Sequence, residues 1–403
     1  MPGPLAGVRV IEMSTWAALP GAGVILSDWG ADVIKVEDPE TGGDPTRAFQ
    51  LVKPAKGTGD FAPVWEQDNR NKKSITVNVN RPEGQEILKK LLAKADVFLT
   101  STRPKTLERF GLSYEQLKRQ NPRLIFAHLS GFGPKGPDSE RAGYDSICFW
   151  SRVGVALSLA EPGGNPVSPR AAMGDHTTSL ALVGAITAAL FSRSQTGKGQ
   201  LVQTSLFHAG LWFSSVDLVS ASVTQTDARK LARKVVGNPL VNSYKTKDGW
   251  ITLVNLQSDR FWEPICRAIG QPALAKDPRF ATMQLRAQNG PPLIDIFDAA
   301  FAQHTTAEWI AKLDKEGIRW GRMQTVLDCT KDEQAWVNGY FHKLEHPEAG
   351  DVALVTAPMQ FSDTPSAIHS QAPLLGQHTE EVLLETGYTW EDMEKLKGKG
   401  VIL

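Results

Sequence analysis

Asp175 is the carboxylate in this sequence best placed for covalent chemistry. It follows the loop text PRAAMG and precedes a long apolar-patterned segment, with Thr177, Thr178 and Ser179 directly behind it. In that setting it reads as a helix N-cap, because an Asp side chain satisfies free N–H groups at a helix start. The same geometry suits a nucleophile. The helix macrodipole and free N–H groups hold a carboxylate ionised, and an ionised carboxylate attacks an activated carbonyl. Gly174, just before it, permits close approach of a substrate and an unusual backbone angle. Spacing alone does not separate cap from nucleophile.

Two other groups bear on binding. Arg70, Lys72, Lys73, Arg103, Lys105, Arg109, Lys135 and Arg141 recur near expected strand ends and in loops. Singly, each reads as a solvated cation; together, near the ligand-binding edge of a sheet, they would meet phosphates. Trp16, Phe149, Trp150 and Trp212 are residue types that usually fill cores. Phe149 and Trp150 lie between two loop-rich stretches and are the better candidates for a pocket wall.

Two motif-like segments lose on context. PGAGVIL supplies Gly21 and Gly23, but Leu26 fills the third place of a dinucleotide fingerprint, so a glycine-rich helix entry is the reading. No Walker A sequence is present. His342-Lys-Leu-Glu345-His346 matches H-x-x-E-H, whose chemistry needs both histidines on one helical face. Pro347 biases His346 away from helix, and Gly350 ends the stretch. No metal site is expected. Cys148, Cys266 and Cys329 are far apart and odd in number, against a disulfide framework or a cysteine-ligated zinc.

The elements that must position Asp175 follow from periodicity. Residues 8–13, 33–36, 74–79, 97–100 and 124–129 read as strands. Between them, residues 19–30, 82–95, 105–110 and 113–120 read as helices, with Pro82 near a first turn. Alternating strands and helices imply an α/β fold, a parallel Rossmann-like sheet covered on both faces. GFGPKGP and EPGGNPVSP then mark long loops around residues 143–157. A strong helix is expected over residues 176–192 and a strand over 201–205. Residues 225–325 read as a separate smaller module, with a strand pair around Asp248-Gly249 and helices near 259–269 and 306–315. Residues 345–375 read as extended and Pro-rich, and 379–386 as a final amphipathic helix.

At 403 residues the chain is long enough for two domains. Lys plus Arg equals Asp plus Glu at 44 each, so no global basic surface offers itself to nucleic acid or an anionic membrane. The start, MPGPLAGVRVIEM, lacks the pattern of a signal peptide. The apolar stretch 180–191 is too short to span a bilayer. A soluble, cytoplasmic protein is expected.

Segments in order from end to end resemble the class III CoA-transferases. They include PLAGVRVIEMS, LSDWGADVIKVEDPETGGDPTR, NRNKKSITVNV, ADVFLTSTRPKTLERFGLSYEQL, AGYDSICFW, MGDHTTSLALVGAITAALFSRSQTGKGQ and PLLGQHTEEVL. The resemblance implies that Asp175, in MGD, is the nucleophile, and that coenzyme A enters as substrate with no permanently bound cofactor. It implies a large Rossmann-like domain from residues 1–224 and 326–403, a small inserted α+β domain over 225–325, and an interlocked homodimer. Arg109 in LERFG matches a contact to the nucleotide end of CoA. Val77, Asn78 and Asn80, with Ser101, Thr102 and Arg103, match segments lining the same site; Trp16, Lys135 and Arg141 complete the expected CoA-binding set. Tyr144, Phe149 and Trp150 are the expected acyl pocket. AGYDSICFW and GNPLVNSYKTKDGWITLVNLQSDRFW resemble members acting on 2-hydroxyacyl, aryl-lactyl or enoyl-CoA in amino-acid fermentation.

Two rival readings remain. A 2-methylacyl-CoA racemase of the same fold needs a histidine base beside the Asp, and the matching text here is Gly143-Tyr144-Asp145. A non-catalytic CoA-binding protein is the other.

Overall fold

Short runs of branched and aromatic residues, each broken by a turn, form the strands of the sheet. The computed structural model describes residues 2–50, 61–228 and 230–403. β1 (Arg9–Met13), β2 (Asp32–Glu37), β3 (Lys73–Thr76), β4 (Val97–Thr100), β5 (Ile125–Ser130) and β6 (Leu201–Ser205) pair in the order β3-β2-β1-β4-β5-β6. All five pairings are parallel. The α/β class and the parallel Rossmann-like sheet are as expected. The order reverses between β1 and β4, and a crevice outside the carboxyl ends of the strands is expected at such a point.

Because side chains alternate across a strand, one sheet feeds two cores. Val10, Val33, Val97 and Ile125 face one way, where α1 (Ala18–Asp28) and the long helix Met173–Thr196 cover them. Ile11, Ile34, Phe98 and Phe126 face the other way, where the C-terminal helices Thr379–Glu385 and Trp390–Gly398 cover them. Of the helices between, α2 is Pro63–Asn69, α3 Pro82–Ala93, α4 Pro104–Phe110 and α5 Tyr114–Gln120, and Leu88, Leu107 and Leu117 bring the last three onto this core. Each fully buried Leu or Ile contributes about 1.5–3 kcal/mol relative to exposure.

Gly21 and Gly23 serve packing. A Cβ on Gly21 would lie 2.6 Å from Ser179 Oγ, so the glycine lets α1 approach the long helix. A Cβ on Gly23 would overlap the Glu12 carboxylate. That carboxylate is fully buried at the end of β1, 2.9 Å from Lys35 Nζ of β2 and 2.8 Å from Lys72 Nζ. Burial alone would raise the Glu12 pKa, but the two ammonium groups outweigh it and hold the group down to about 2.

The chain divides into two compact units, residues 1–156, 168–226 and 333–403 in the first and 157–167 and 227–332 in the second. The second unit has its own antiparallel sheet of β7 (Val241–Lys245), β8 (Trp250–Val254) and β9 (Trp320–Arg322). Its core contains Tyr244, Phe297, Phe301 and Trp309. Helix Thr306–Lys315 starts on a capping box formed by Thr305 and Glu308. Helices Met283–Gln288 and Gly290–Phe301 were not expected.

Three local expectations change. β3 stops at Thr76, and the chain turns at residues 79–80. Residues 341–346 and 350–355 form an antiparallel hairpin. The H-x-x-E-H text therefore lies on a strand, where His342 and His346 share a face and Glu345 points to the other. Among the described residues no single helix is long and apolar enough to cross a membrane.

Replacing Glu12 with Gln leaves two buried ammonium groups facing a neutral amide. We expect a loss of about 3–5 kcal/mol of stability, measured by equilibrium chemical unfolding. In the parent chain the Glu12 contribution is present above pH 4.5 and fades as pH falls from there toward 2, because its folded pKa is depressed.

Candidate active site

The long helix begins two residues before Asp175. Its N-cap is Ala172, in the left-handed conformation at φ 65°, and no side chain of its own caps it. Asp175 is therefore a first-turn residue and not the N-cap that its sequence context suggests. Gly174 is helical, with no positive φ, and a Cβ there would strike the Asp145 carboxylate and lie 2.6 Å from the Phe149 ring. The close approach that Gly174 permits is that of protein groups.

Asp145 comes from the loop ahead of the π-helical turn Ser146–Ser151. Its Oδ2 accepts the Gly174 N–H at 3.0 Å. The expectation that Asp175 is held ionised is reversed: burial and then the neighbouring Asp145 charge raise its pKa to about 7, with His176 opposing them. A carboxylate near that value is partly ionised at neutral pH, and its ionised form is a stronger base than a solvated Asp. His176 turns away. Its Nε2 donates to Asp68 of α2 at 3.1 Å; burial works against its charge, but Asp68 more than compensates and raises its pKa.

Asp175 lines a cavity of about 450 Å³ with Trp16, Phe49, Tyr144, Asp145 and Arg170. Trp16 sits edge-on to Phe49 and to Tyr144, each at 5.9 Å between ring centres. These three rings make the aromatic wall. Phe149 and Trp150, expected as that wall, are buried in the π-helical turn, where Phe149 packs under Gly174 and against Phe213. His176 lines a separate cavity of about 170 Å³ with Asp68, Gln67 and Leu180.

A second cavity, about 480 Å³, lies where the strand order reverses. Met13 ends β1 with Ser14 and Thr15 after it, Glu37 ends β2 with Asp38 after it, and Ser101, Thr102 and Arg103 follow β4; Val77, Val79 and Thr106 complete much of the wall. Val77, Ser101, Thr102 and Arg103 of the expected CoA-binding set are thus brought together. The others are not. Trp16 faces the Asp175 cavity. Asn78 is fully buried and its Oδ1 accepts the Asn80 N–H at 3.0 Å, holding the turn after β3. Arg109 is exposed at the end of α4, its guanidinium over Phe110, and Thr106 one turn earlier reaches the cavity instead. Lys135 is exposed, and Arg141 pairs with Asp138 at 3.6 Å. Arg70, Lys72 and Lys73 are engaged with Asp28, Glu12 and Glu381.

One loop separates the two cavities. Ser14 and Thr15 line the strand-edge cavity, and Trp16 and Ala17 line that of Asp175. Lys35 holds this loop from below, donating to the Ser14 carbonyl at 3.0 Å and pairing with Asp44 at 2.9 Å. Asp44 in turn accepts the Trp16 N–H at 3.3 Å, where Trp16 has φ 68°. Sequence reading missed Asp145, Arg170, Phe49 and this ion cluster. Glu12 and Lys35, charges in the middle of apolar strands, were the available signal. Among the described residues, no group of three or more His, Cys, Asp or Glu side chains is placed to hold a metal.

Residues 5–379 match the family model described as CoA-transferase family III. The chain is 35% identical over 399 residues to the (R)-2-hydroxy-4-methylpentanoate CoA-transferase of Clostridioides difficile, with 99% of each chain covered. It is 33% identical over 398 residues to the cinnamoyl-CoA:phenyllactate CoA-transferase of Clostridium sporogenes, covering 97% of this chain and 95% of that one. A crystal structure of a CAIB/BAIF family protein from Brucella suis matches with a TM-score of 0.85 at 30% identity, covering 96% of this chain and 100% of that one.

Asp175 carries a desolvation cost that Asn would not. Its raised folded pKa means that stability is lost as pH rises from 3.8 toward about 7 and stays lost above. Asp175→Asn should therefore raise the melting temperature at pH 8, by the equivalent of about 1–3 kcal/mol, and leave it nearly unchanged at pH 4. Thermal unfolding at the two pH values measures this.

Proposed function

This chain belongs to CoA-transferase family III, and we propose that it carries coenzyme A from an acyl-CoA donor to a carboxylic acid through a covalent intermediate on Asp175. The supporting observation is a partly buried carboxylate at a helix start, in the wall of a 450 Å³ cavity one loop away from a 480 Å³ cavity at the sheet's switch point. In this reading the nucleotide end of CoA lies at Ser101–Arg103 and Val77, and the pantetheine arm passes the Ser14–Trp16 loop to Asp175.

Ionised Asp175 attacks the donor thioester carbonyl; the C–S bond breaks, leaving an aspartyl acyl anhydride and CoA thiolate. The thiolate attacks the aspartyl carbonyl and expels the donor carboxylate, giving an aspartyl-CoA thioester. An acceptor carboxylate attacks that thioester, forming a second anhydride and releasing the thiolate. The thiolate then takes the acceptor acyl group and frees Asp175. Each step exchanges one activated acyl species for another, which is the advantage of covalent catalysis. Water has to be kept from the intermediates, which it would hydrolyse.

The substrate is proposed to be a 2-hydroxy, aryl-lactic or enoic acid. Trp16, Phe49 and Tyr144 suit a bulky apolar acyl tail, and Arg170 suits an incoming carboxylate. The relatives named for 2-hydroxy-4-methylpentanoate and for cinnamoyl-CoA and phenyllactate point the same way. A racemase reading gains nothing from His176, which faces Asp68 and a different cavity. We further propose a cytoplasmic homodimer. Helix Ser215–Thr224 exposes Val216, Val219 and Val223, and Trp212 just before it is 80% exposed, an apolar surface of the kind a subunit interface covers.

Asp175→Ala should retain CoA binding and lose exchange by at least about a thousandfold; turnover at the parent rate would refute the nucleophile. Hydroxylamine added with acyl-CoA should inactivate the parent enzyme and leave a hydroxamate on Asp175, read by peptide mass spectrometry. In exchange assays across a panel of acids, phenyllactate and branched 2-hydroxy acids should outrun succinate and glutarate. Sedimentation equilibrium should give twice the chain mass.

A further inference from the structure

Asp145 shares the wall of one cavity with Asp175, and nothing in the exchange chemistry above uses it. The helix that carries Asp175 starts on Ala172, which has no side-chain oxygen to satisfy the first free N–H groups. Asp145 supplies that oxygen from another part of the chain. Its Oδ2 accepts the Gly174 N–H at 3.0 Å. Gly174 is the only residue type that leaves room, since a Cβ would collide with the Asp145 carboxylate. The same carboxylate lies in the wall of the Asp175 cavity.

We propose that Asp145 is the positioning residue for the reacting carboxylate: it caps the helix from outside, and its charge opposes that of Asp175 until acylation removes the conflict. When Asp175 attacks a thioester, its negative charge passes to the departing CoA thiolate and the aspartyl group becomes a neutral anhydride or thioester. The repulsion between the two carboxylates is present in the free enzyme and absent from the acylated one. Asp145 thereby makes Asp175 a more basic nucleophile and biases it toward the acylated state. The raised pKa of Asp175, about 7, agrees with this arrangement.

The other groups around Asp175 do not cancel the effect. Asp68, on α2, adds to it, and His176, on the same helix, opposes it. Burial pushes the Cys148 thiol of the π-helical turn up to about 11, so it stays neutral across the working range. Arg170 lines the cavity from the loop before the helix.

The proposal rests on Asp175 being the nucleophile, and the test separates the two. Single-turnover acylation by acyl-CoA is followed between pH 5 and 9 in the parent enzyme, Asp145→Asn and Asp145→Ala. The parent rate should fall as pH drops through the Asp175 pKa. Asp145→Asn keeps an acceptor for Gly174 and loses the charge, so its acid limb should move to lower pH while its plateau rate falls. Asp145→Ala should lose a further factor on the order of ten in plateau rate, because the helix start is also uncapped. The His176 charge also acts on Asp175, so the series is repeated with His176→Gln, where the limb belongs to Asp175 alone. Should Asp145→Asn not fold, Asp145→Ser keeps a capping oxygen without the charge and should move the limb the same way. An unmoved limb and plateau in the neutral variants, with the hydroxamate still found on Asp175, overturns the role of Asp145 alone. No hydroxamate on Asp175 in the parent enzyme overturns both.

Discussion

The buried triangle of Glu12, Lys35 and Lys72 is the constraint on which the site is built. Three charges taken out of water are tolerable only if each meets its partners closely, so the ends of β1 and β2 and the start of β3 must stay in register. Lys35 and Lys72 both reach Glu12 within 2.9 Å. Lys35 spends its remaining donors on the Ser14 carbonyl and Asp44. The loop after β1 is thus tied to the sheet through an ammonium group that has no freedom to move. That fixes Trp16 in a left-handed backbone conformation, a strain that persists only where the surroundings over-determine it. The two cavities meet at this loop. The proposed exchange of a thiolate between carbonyls needs such rigidity, because small misplacements of reacting atoms cost orders of magnitude in rate.

The second level is electrostatic. An Asp at a helix start in water would have a depressed pKa, and the same residue partly buried beside another carboxylate has a raised one. The outcome here is decided by magnitude: burial and Asp145 outweigh His176. Asp145 plays two opposing parts. As a hydrogen-bond acceptor it steadies the helix start, and as a charge it unsettles the residue three places from the cap. Gly174 is where both meet, since its missing side chain lets the carboxylate in.

Much of the sheet was legible because its signal is local. The apolar runs at β1, β2, β4, β5 and β6 carry their own alternation and turn signals, and each strand falls within a residue or two of its expected place. Elements defined by context were not. Gly290-Pro-Pro hid the start of helix Gly290–Phe301, although Pro is well suited to a first turn. Residues from 345 onward read as extended, but the pairing of 341–346 with 350–355 as a hairpin was not legible because its register depends on cross-strand partners. Arg109 and Thr106 share a helix, but only the structure shows that the shorter side chain is the one at the cavity.

The site itself was half legible for the same reason. Asp175 stood out as a cap because a carboxylate followed by hydroxyl residues ahead of an apolar helix is a recognisable pattern, and as a nucleophile only through the family resemblance of its MGD segment. Its place on the helix was misread by three residues, and the cause is specific. PRAAMG contains no residue that caps a helix with its own side chain, so the first plausible cap in the text was Asp175. The true cap is supplied by Asp145, 29 residues away from Gly174 along the chain. No windowed reading of sequence joins those positions. On the proposed mechanism, what distinguishes a nucleophile from a structural cap is therefore not the residue or its neighbours but whether another group has already taken the capping role. Where it has, the first-turn carboxylate is left without backbone partners to stabilise its charge, and that is the condition under which it gains most by bonding to carbon.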